Sequence, residues 1–241
     1  MEGGAVSELI EPPRDIPSEL VGAFTMGGVI PVEKRYRDDS GTRPTVYSLE
    51  DWLDALERAR VREPWYYPKT DVALWGAFEA FPVKGKKVAV FGSARPWYEA
   101  IFWDQDVGEV VVFEYADVEA EFEDEVEYRK PGDFEVGEFD AAVSISTFEH
   151  AGLGRYGDPV DADGDLKAMQ AARACLRTGG VLFLSVPVGM DRVVWNLHRV
   201  YGRKRLACLL EGWMMVGRYH WWDERIDMVD DQYQPLLVLE R

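Results

Sequence analysis

Short apolar runs bounded by charge or glycine punctuate the chain from about residue 86 onward, and amphipathic stretches separate them. Lys87–Phe91 (KVAVF), Glu109–Glu114 (EVVVFE), Phe139–Ile145 (FDAAVSI) and Val181–Val186 (VLFLSV) are β-branched or aromatic and lack polar alternation. That is the pattern of parallel strands buried on both faces. Between the last two, Leu166, Met169, Ala172, Arg173 and Leu176 recur at helical spacing, with Asp165 placed to cap that helix and Gly179 to end it. Further on, the pattern predicts a helix over 196–210 and strands near 214–219 and 236–239. Strands alternating with helices imply an α/β fold with a doubly wound, mostly parallel sheet, whose ligands sit at the carboxyl ends of the strands.

The first 82 residues read differently. Pro12, Pro13, Pro17, Gly27, Gly28 and Pro31 crowd its start. A helix is then predicted over 49–60, with Ser48 as N-cap, Asp51 three residues on, and Leu49, Trp52, Leu53 and Leu56 as one apolar stripe. A second helix is predicted over 71–81. Residues 1–82 are expected to form an N-terminal extension and helical cap, packed on an α/β domain over 83–241.

Composition narrows the partners. Hydrophobic residues make up 47% of the 241 residues, enough for a sizeable core. The net charge of −17 sets a surface that repels phosphate backbones and anionic lipid, so neither nucleic acid nor a membrane is an expected partner. Cys175 and Cys208 fall in apolar helical surroundings and read as reduced core thiols. Met1-Glu2-Gly3-Gly4 shows no leader, and the longest apolar run, 181–190, is too short to span a bilayer, so the expected setting is the cytoplasm. No pattern speaks to an oligomeric state.

Candidate chemistry starts at the turn after the first strand, Phe91-Gly92-Ser93-Ala94-Arg95-Pro96-Trp97. Gly92 permits a tight bend and a close ligand approach, and Pro96 suits the first position of a helix whose free N–H groups face the cleft. Glu114 follows at the end of the second strand. An acid about 20 residues past a glycine turn accepts both hydroxyls of a ribose in doubly wound nucleotide-binding folds. Either S-adenosylmethionine (SAM) or NAD presents such a diol.

Phe139-Asp140-Ala141-Ala142-Val143-Ser144, then Thr147-Phe148-Glu149-His150, then Leu176-Arg177-Thr178-Gly179-Gly180-Val181-Leu182 and Ser185-Val186-Pro187 resemble the fourth and fifth strands of class I SAM-dependent methyltransferases. The resemblance runs from Val88 to Pro187 and implies a Rossmann-like methyltransferase domain with SAM as cofactor. It implies that Gly92 and Ser93 line the methionine moiety, Glu114 binds the ribose, Asp133 and Phe134 lie near the adenine, and Thr147 lies beside the cofactor. Trp97 and Tyr115, next to the turn and the acid, complete the cofactor set. A closer resemblance, to the family of unknown function 268 (DUF268), rests on Gly92-Ser93, Pro96 to Ala100, Glu114-Tyr115, Glu149 to Pro159, Asp163 to Leu166, and Asn196, His198, Arg199, Tyr201 and Gly202. Class I methyltransferases usually carry an acid two residues before the first glycine. Here that position is Val90, and Glu99 is the acid on the helix that follows.

Methyl transfer needs an acceptor in line with the sulfonium and a base for its proton. The loop from His150 to Asp165 leaves the carboxyl end of the fourth strand. His150 and His198 are the candidate bases, since an imidazole titrates near neutrality, and Asp158 is a third candidate. Arg155, Tyr156, Asn196, Arg199 and Tyr201 are the candidate contacts to a small polar acceptor. Asp158, Asp161, Asp163 and Asp165 alternate as in a cation loop, but no glutamate follows at the right distance, so no metal is expected. The expected activity is SAM-dependent O-methylation of a sugar or similar hydroxylated metabolite. A nucleotide-binding enzyme using NAD or a nucleotide sugar, and a non-catalytic relative that keeps the fold, remain the alternatives.

Overall fold

Each apolar run closes into a strand because its backbone has a partner on both sides. The computed structural model describes residues 11–39, 45–122, 124–229 and 232–241. Met1 to Gly4, read above for a leader, lie outside the described residues. Helices α1 (Leu49–Arg60) and α2 (Pro68–Ala80) precede β1 (Lys87–Phe91), α3 (Trp97–Asp104), β2 (Glu109–Phe113), β3 (Val126–Arg129) and β4 (Phe139–Ile145). Then come α4 (Gly164–Cys175), β5 (Leu176–Ser185), α5 (Arg203–Leu209), β6 (Met214–Tyr219) and β7 (Leu236–Glu240).

The seven strands form one sheet in the order β6-β7-β5-β4-β1-β2-β3. All are parallel except β7, which runs antiparallel to both β5 and β6. The reversal of strand order between β4 and β2 makes the carboxyl end of β1 the switch point at which doubly wound folds place their ligands. Alternate residues of each strand point to opposite faces. Val88, Val90, Val110, Val112 and Phe183 pack under α1, α2 and α3 with Trp52, Leu74, Phe78 and Phe102. Ala89, Phe91, Val111, Phe113 and Leu182 pack under α4 and α5 with Met169, Ala172 and Leu206. The doubly wound, mostly parallel α/β sheet is therefore as the apolar runs imply.

The segment before β1 is stitched to the core at two places. Val32–Arg35 pairs parallel with Arg192–Asn196, and Thr45–Tyr47 pairs parallel with Val118–Ala120. The Ser48–Asp51 capping box forms as expected. The buried stripe of α1 is Trp52, Ala55, Leu56 and Ala59, whereas Leu49 and Leu53 are exposed, so the apolar face is rotated from the one the leucines suggest.

Four other local expectations are corrected. The predicted helix over 196–210 is mostly β. Arg192–Asn196 and His198–Val200 form an antiparallel pair, with Val32–Arg35 on the other edge, and only α5 is helical. Pairing with a distant segment outweighs local helical spacing there, and the Asp191 carboxylate then starts α5 by accepting from the Gly202, Lys204 and Arg205 amides. Asp165 is not the cap of α4; Asp163 occupies that position, and Asp165 is fully buried against Arg205 and Tyr201. Gly179 lies inside β5, because α4 already ends at Cys175. Pro96 is the N-cap residue of α3, one position before its expected place. Cys175 is buried and Cys208 partly buried, both free thiols. Among the described residues, no helix is long and apolar enough to cross a membrane.

Candidate functional site

The bend after β1 is built as its residues demand. Gly92 has φ +73°, a left-handed conformation that glycine adopts without strain. A Cβ there would lie 2.5 Å from Thr147 Cγ2 and 2.7 Å from Thr147 Oγ1. The space a side chain would need is thus taken by Thr147 of the β4 loop, and not by a ligand as the turn alone suggests. Ser93 follows, held on three sides. Its N–H donates to Glu114 Oε2 at 3.1 Å, its carbonyl accepts from Tyr47 Oη at 2.7 Å, and its hydroxyl donates to the Arg95 carbonyl at 2.7 Å.

Glu114 stands at the end of β2 and reaches across to that turn. Its other oxygen, Oε1, accepts from its neighbour Tyr115 N at 2.7 Å and from Ala116 N at 3.4 Å. A carboxylate offers about four lone-pair directions, so the half-buried Glu114 retains acceptor capacity toward the crevice. Tyr115 is 56% exposed beside it. Phe134 packs edge-on against Phe113, with ring centroids 5.8 Å apart, and Asp133 next to it is exposed. Gly92, Ser93, Glu114, Tyr115, Phe134 and Thr147 are therefore gathered along the carboxyl ends of β1, β2 and β4.

Two buried acids adjoin this line: Glu99, the acid that the sequence offers on the helix after the turn, and Glu149, which the sequence pattern does not single out as a site residue. Glu99, on the first turn of α3, is fully buried, and neither carboxylate oxygen receives a well-formed hydrogen bond, the neighbouring Ser93 hydroxyl giving its proton to the Arg95 carbonyl. Burial raises its pKa to about 7. Glu149, in the turn after β4, is 1% exposed. Its Oε1 accepts from Ser146 Oγ at 2.7 Å, while Oε2 has no partner. Burial raises it likewise to about 7, against the opposing pull of the Ser146 hydrogen bond. Ser146 has φ +51°, a strained conformation for a non-glycine residue. Gln234 Nε2 donates to the same hydroxyl at 3.4 Å, and the Tyr67 phenol stands alongside.

His150 shares this corner. Its Nδ1–H donates to the Leu197 carbonyl at 2.5 Å, leaving the Nε2 lone pair 3.8 Å from Glu149 Oε1. Burial drives its pKa down to about 3, so the ring is neutral at physiological pH. Tyr156 lies edge-on to it at 5.6 Å, with 43% of its own surface exposed, and His198 lies edge-on at 6.3 Å. The Arg155 guanidinium stacks over Tyr156 at 4.7 Å and pairs with Asp39. His150, His198, Arg155 and Tyr156 are thus together.

The remaining sequence candidates are placed elsewhere or fully engaged. Trp97 is 1% exposed in the core under α2, its Nε1–H donating to Asp71 Oδ2 at 3.1 Å. Asp158 accepts from the Gly152, Gly154 and Tyr156 amides and so folds its own loop. Arg199 is 2% exposed and donates to the carbonyls of Glu149, Ala151, Asp161 and Ala162. Tyr201 is buried with its hydroxyl on Asp165 at 3.0 Å, and buried Asn196 accepts from Arg37 N at 2.9 Å. These four hold the loop between β4 and α4 and the 192–200 hairpin in place. Of the aspartates in that loop, Asp161 pairs with Lys167, and Asp163 and Asp165 with Arg205.

A family model described as "Caenorhabditis protein of unknown function, DUF268" matches residues 85–235. No curated protein matches the sequence. Among solved structures, the 1,6-didemethyltoxoflavin-N1-methyltransferase of Burkholderia thailandensis, crystallised with 1,6-didemethyltoxoflavin and S-adenosylhomocysteine, is 15% identical. The match covers 96% of this chain and 93% of that one, with a TM-score of 0.53. A chain from the complex between the Haloferax volcanii Trm112 methyltransferase activator and a methyltransferase is 14% identical, covering 83% of this chain and 99% of that one, with a TM-score of 0.50. At such identities the likeness is one of fold, and that fold is the Rossmann-like fold of class I methyltransferases.

Proposed function

The chain belongs to the DUF268 family, and from that membership together with the carboxyl-end crevice we propose that it is a SAM-dependent methyltransferase. The acceptor in this reading is a small polar molecule, a sugar or similar hydroxylated metabolite methylated on oxygen. One observation carries the cofactor assignment: the Glu114 carboxylate, from the end of β2, meets the Ser93 amide of the β1 turn at 3.1 Å. Carboxylate and bend therefore sit side by side, as a ribose diol requires.

The residues fit that ligand. Glu114 keeps lone pairs for the two hydroxyls, Tyr115 and Phe134 offer aromatic surface for an adenine, and the unpartnered oxygens of Glu99 offer an acceptor close to the turn. When bound, SAM would be held by Glu114 and the β1 turn and would supply an electrophilic methyl group to the acceptor oxygen, leaving as S-adenosylhomocysteine. Ser146 and Thr147 border the acceptor end of the crevice. The acceptor's hydroxyl proton passes to the Glu149–His150 pair. Glu149 is the better matched proton acceptor near pH 7, because a base works best with a pKa close to the operating pH, whereas His150 is held far below it. Its Nδ1–H contact to Leu197 instead fixes the ring, so that Nε2 faces Glu149. Tyr156 and Arg155 flank the opening as polar contacts for the acceptor.

Glu114→Ala tests the assignment. Loss of charged hydrogen bonds predicts S-adenosylhomocysteine binding weaker by about 1.5–3 kcal/mol in calorimetry, with the circular dichroism spectrum retained. An unchanged affinity in the folded variant overturns the ribose role.

A further inference from the structure

Glu99 is the least satisfied polar group near the crevice. It is fully buried, which raises its pKa; the Ser93 hydroxyl beside it pulls the other way but gives its proton to the Arg95 carbonyl, so neither carboxylate oxygen receives a well-formed hydrogen bond. A buried polar group in that condition calls for an explanation, because an unpaired buried charge is costly. Among the described residues, none of the groups that act on its charge is a cation. Ser93 lies alongside, Glu114 is on the far side of the same turn, and the phenols of Tyr47, Tyr98 and Tyr128 are near enough to feel its charge. The Tyr128 hydroxyl has no partner either. The place therefore holds acceptors, a phenol and a negative charge, and lacks only a positive donor.

Strand β1 explains why the acid comes from a helix. Val90, two residues before Gly92, points to the sheet face packed under α3, in the same cluster as Trp97 and Tyr98. The strand thus offers a methyl-lined wall where a carboxylate could have stood. Glu99 brings a carboxylate to that face from the first turn of α3. We propose that the Glu99 carboxylate, brought by helix α3 to the face where strand β1 presents only Val90, pairs with the α-ammonium group of the ligand's amino-acid end. This assignment rests on the SAM reading above and adds the residue that selects the amino-acid portion of the ligand. An ammonium donates up to three hydrogen bonds, which matches the two empty oxygens and the nearby Ser93. The free carboxyl, raised to about 7 by burial, must lose its proton to accept an ammonium. Affinity for the amino-acid end then falls as pH drops below 7.

Two ligands separate the assignment from the reading beneath it. S-adenosylhomocysteine carries the ammonium, and 5′-methylthioadenosine keeps the adenosine without it. In titration calorimetry on the full chain, Glu99→Gln is expected to weaken the homocysteine compound about 10- to 100-fold and to leave methylthioadenosine within about twofold. The unsubstituted chain is expected to lose affinity for the homocysteine compound by close to tenfold per pH unit below 7 and to bind methylthioadenosine independently of pH; this measurement needs no variant. An unchanged affinity for S-adenosylhomocysteine in Glu99→Gln, a parallel loss of both ligands, or a flat pH profile for both overturns the ammonium assignment while leaving the SAM reading intact. If the unsubstituted chain binds neither ligand, that reading falls and the assignment falls with it.

Discussion

A carboxyl group removed from water keeps its proton to higher pH, and Glu99 and Glu149 both do so, to about 7, Glu149 against the lowering pull of Ser146, Arg155 and Arg199. The consequence for stability has a definite sign. The folded chain holds a proton on Glu99 between the usual 4.5 and about 7, where the unfolded chain has lost it. The stability tied to that proton is complete below 4.5 and is lost as pH rises through 7. Gln at this position keeps the shape and never ionises. Urea unfolding should therefore show Glu99→Gln gaining on its parent by on the order of 3 kcal/mol between pH 4.5 and pH 8, and a gap that stays constant with pH would contradict the burial argument. At this scale legibility was uneven. Gly92 and Glu114 could be read because a bend and an acid each follow an apolar run directly. Glu149 could not, because its burial depends on which way one short turn faces, and no sequence period records that. His150, readable as a base by residue type, is turned into a fixed neutral ring by burial and by the Leu197 carbonyl.

Helix α4, the His198–Val200 strand and helix α5 are tied together by one buried acid. Asp165 is fully buried; it accepts from Arg205 Nε at 3.1 Å and from Tyr201 Oη at 3.0 Å, and Arg199 Nε lies 3.7 Å away. Removing it leaves the buried Arg199 on backbone carbonyls alone and Arg205 with only the exposed Asp163 as a carboxylate partner. Asp165→Ala is therefore expected to cost about 3–5 kcal/mol in chemical unfolding, and a loss under about 1 kcal/mol would mean that the arginines find other partners. The central strands and the two N-terminal helices were legible because β1, β2, β4 and the second half of β5, from Val181, are short apolar runs and because Ser48–Asp51 is a complete cap. The first half of β5, Leu176 to Gly180, has no such run. The 192–200 hairpin was not legible, since Arg192–Asn196 takes one of its two partners from Val32–Arg35, about 160 residues earlier. Strand β3 escaped for a related reason: at the sheet edge, Val126–Arg129 alternates apolar and charged residues over four positions, too few to show a period.

Across the whole molecule, the proposed reading sets a cationic, adenosine-bearing ligand at the β1 switch point of the sheet, beside the Glu114, Glu99 and Glu149 carboxyl groups of a chain with a net charge of −17. The sheet order and the pairing of Glu114 with the β1 turn are what this account depends on. Calorimetric titration of the full chain with S-adenosylhomocysteine and, separately, with NAD puts that dependence to the test. The account predicts micromolar binding of S-adenosylhomocysteine and none of NAD; binding of NAD alone, or of neither, would contradict it.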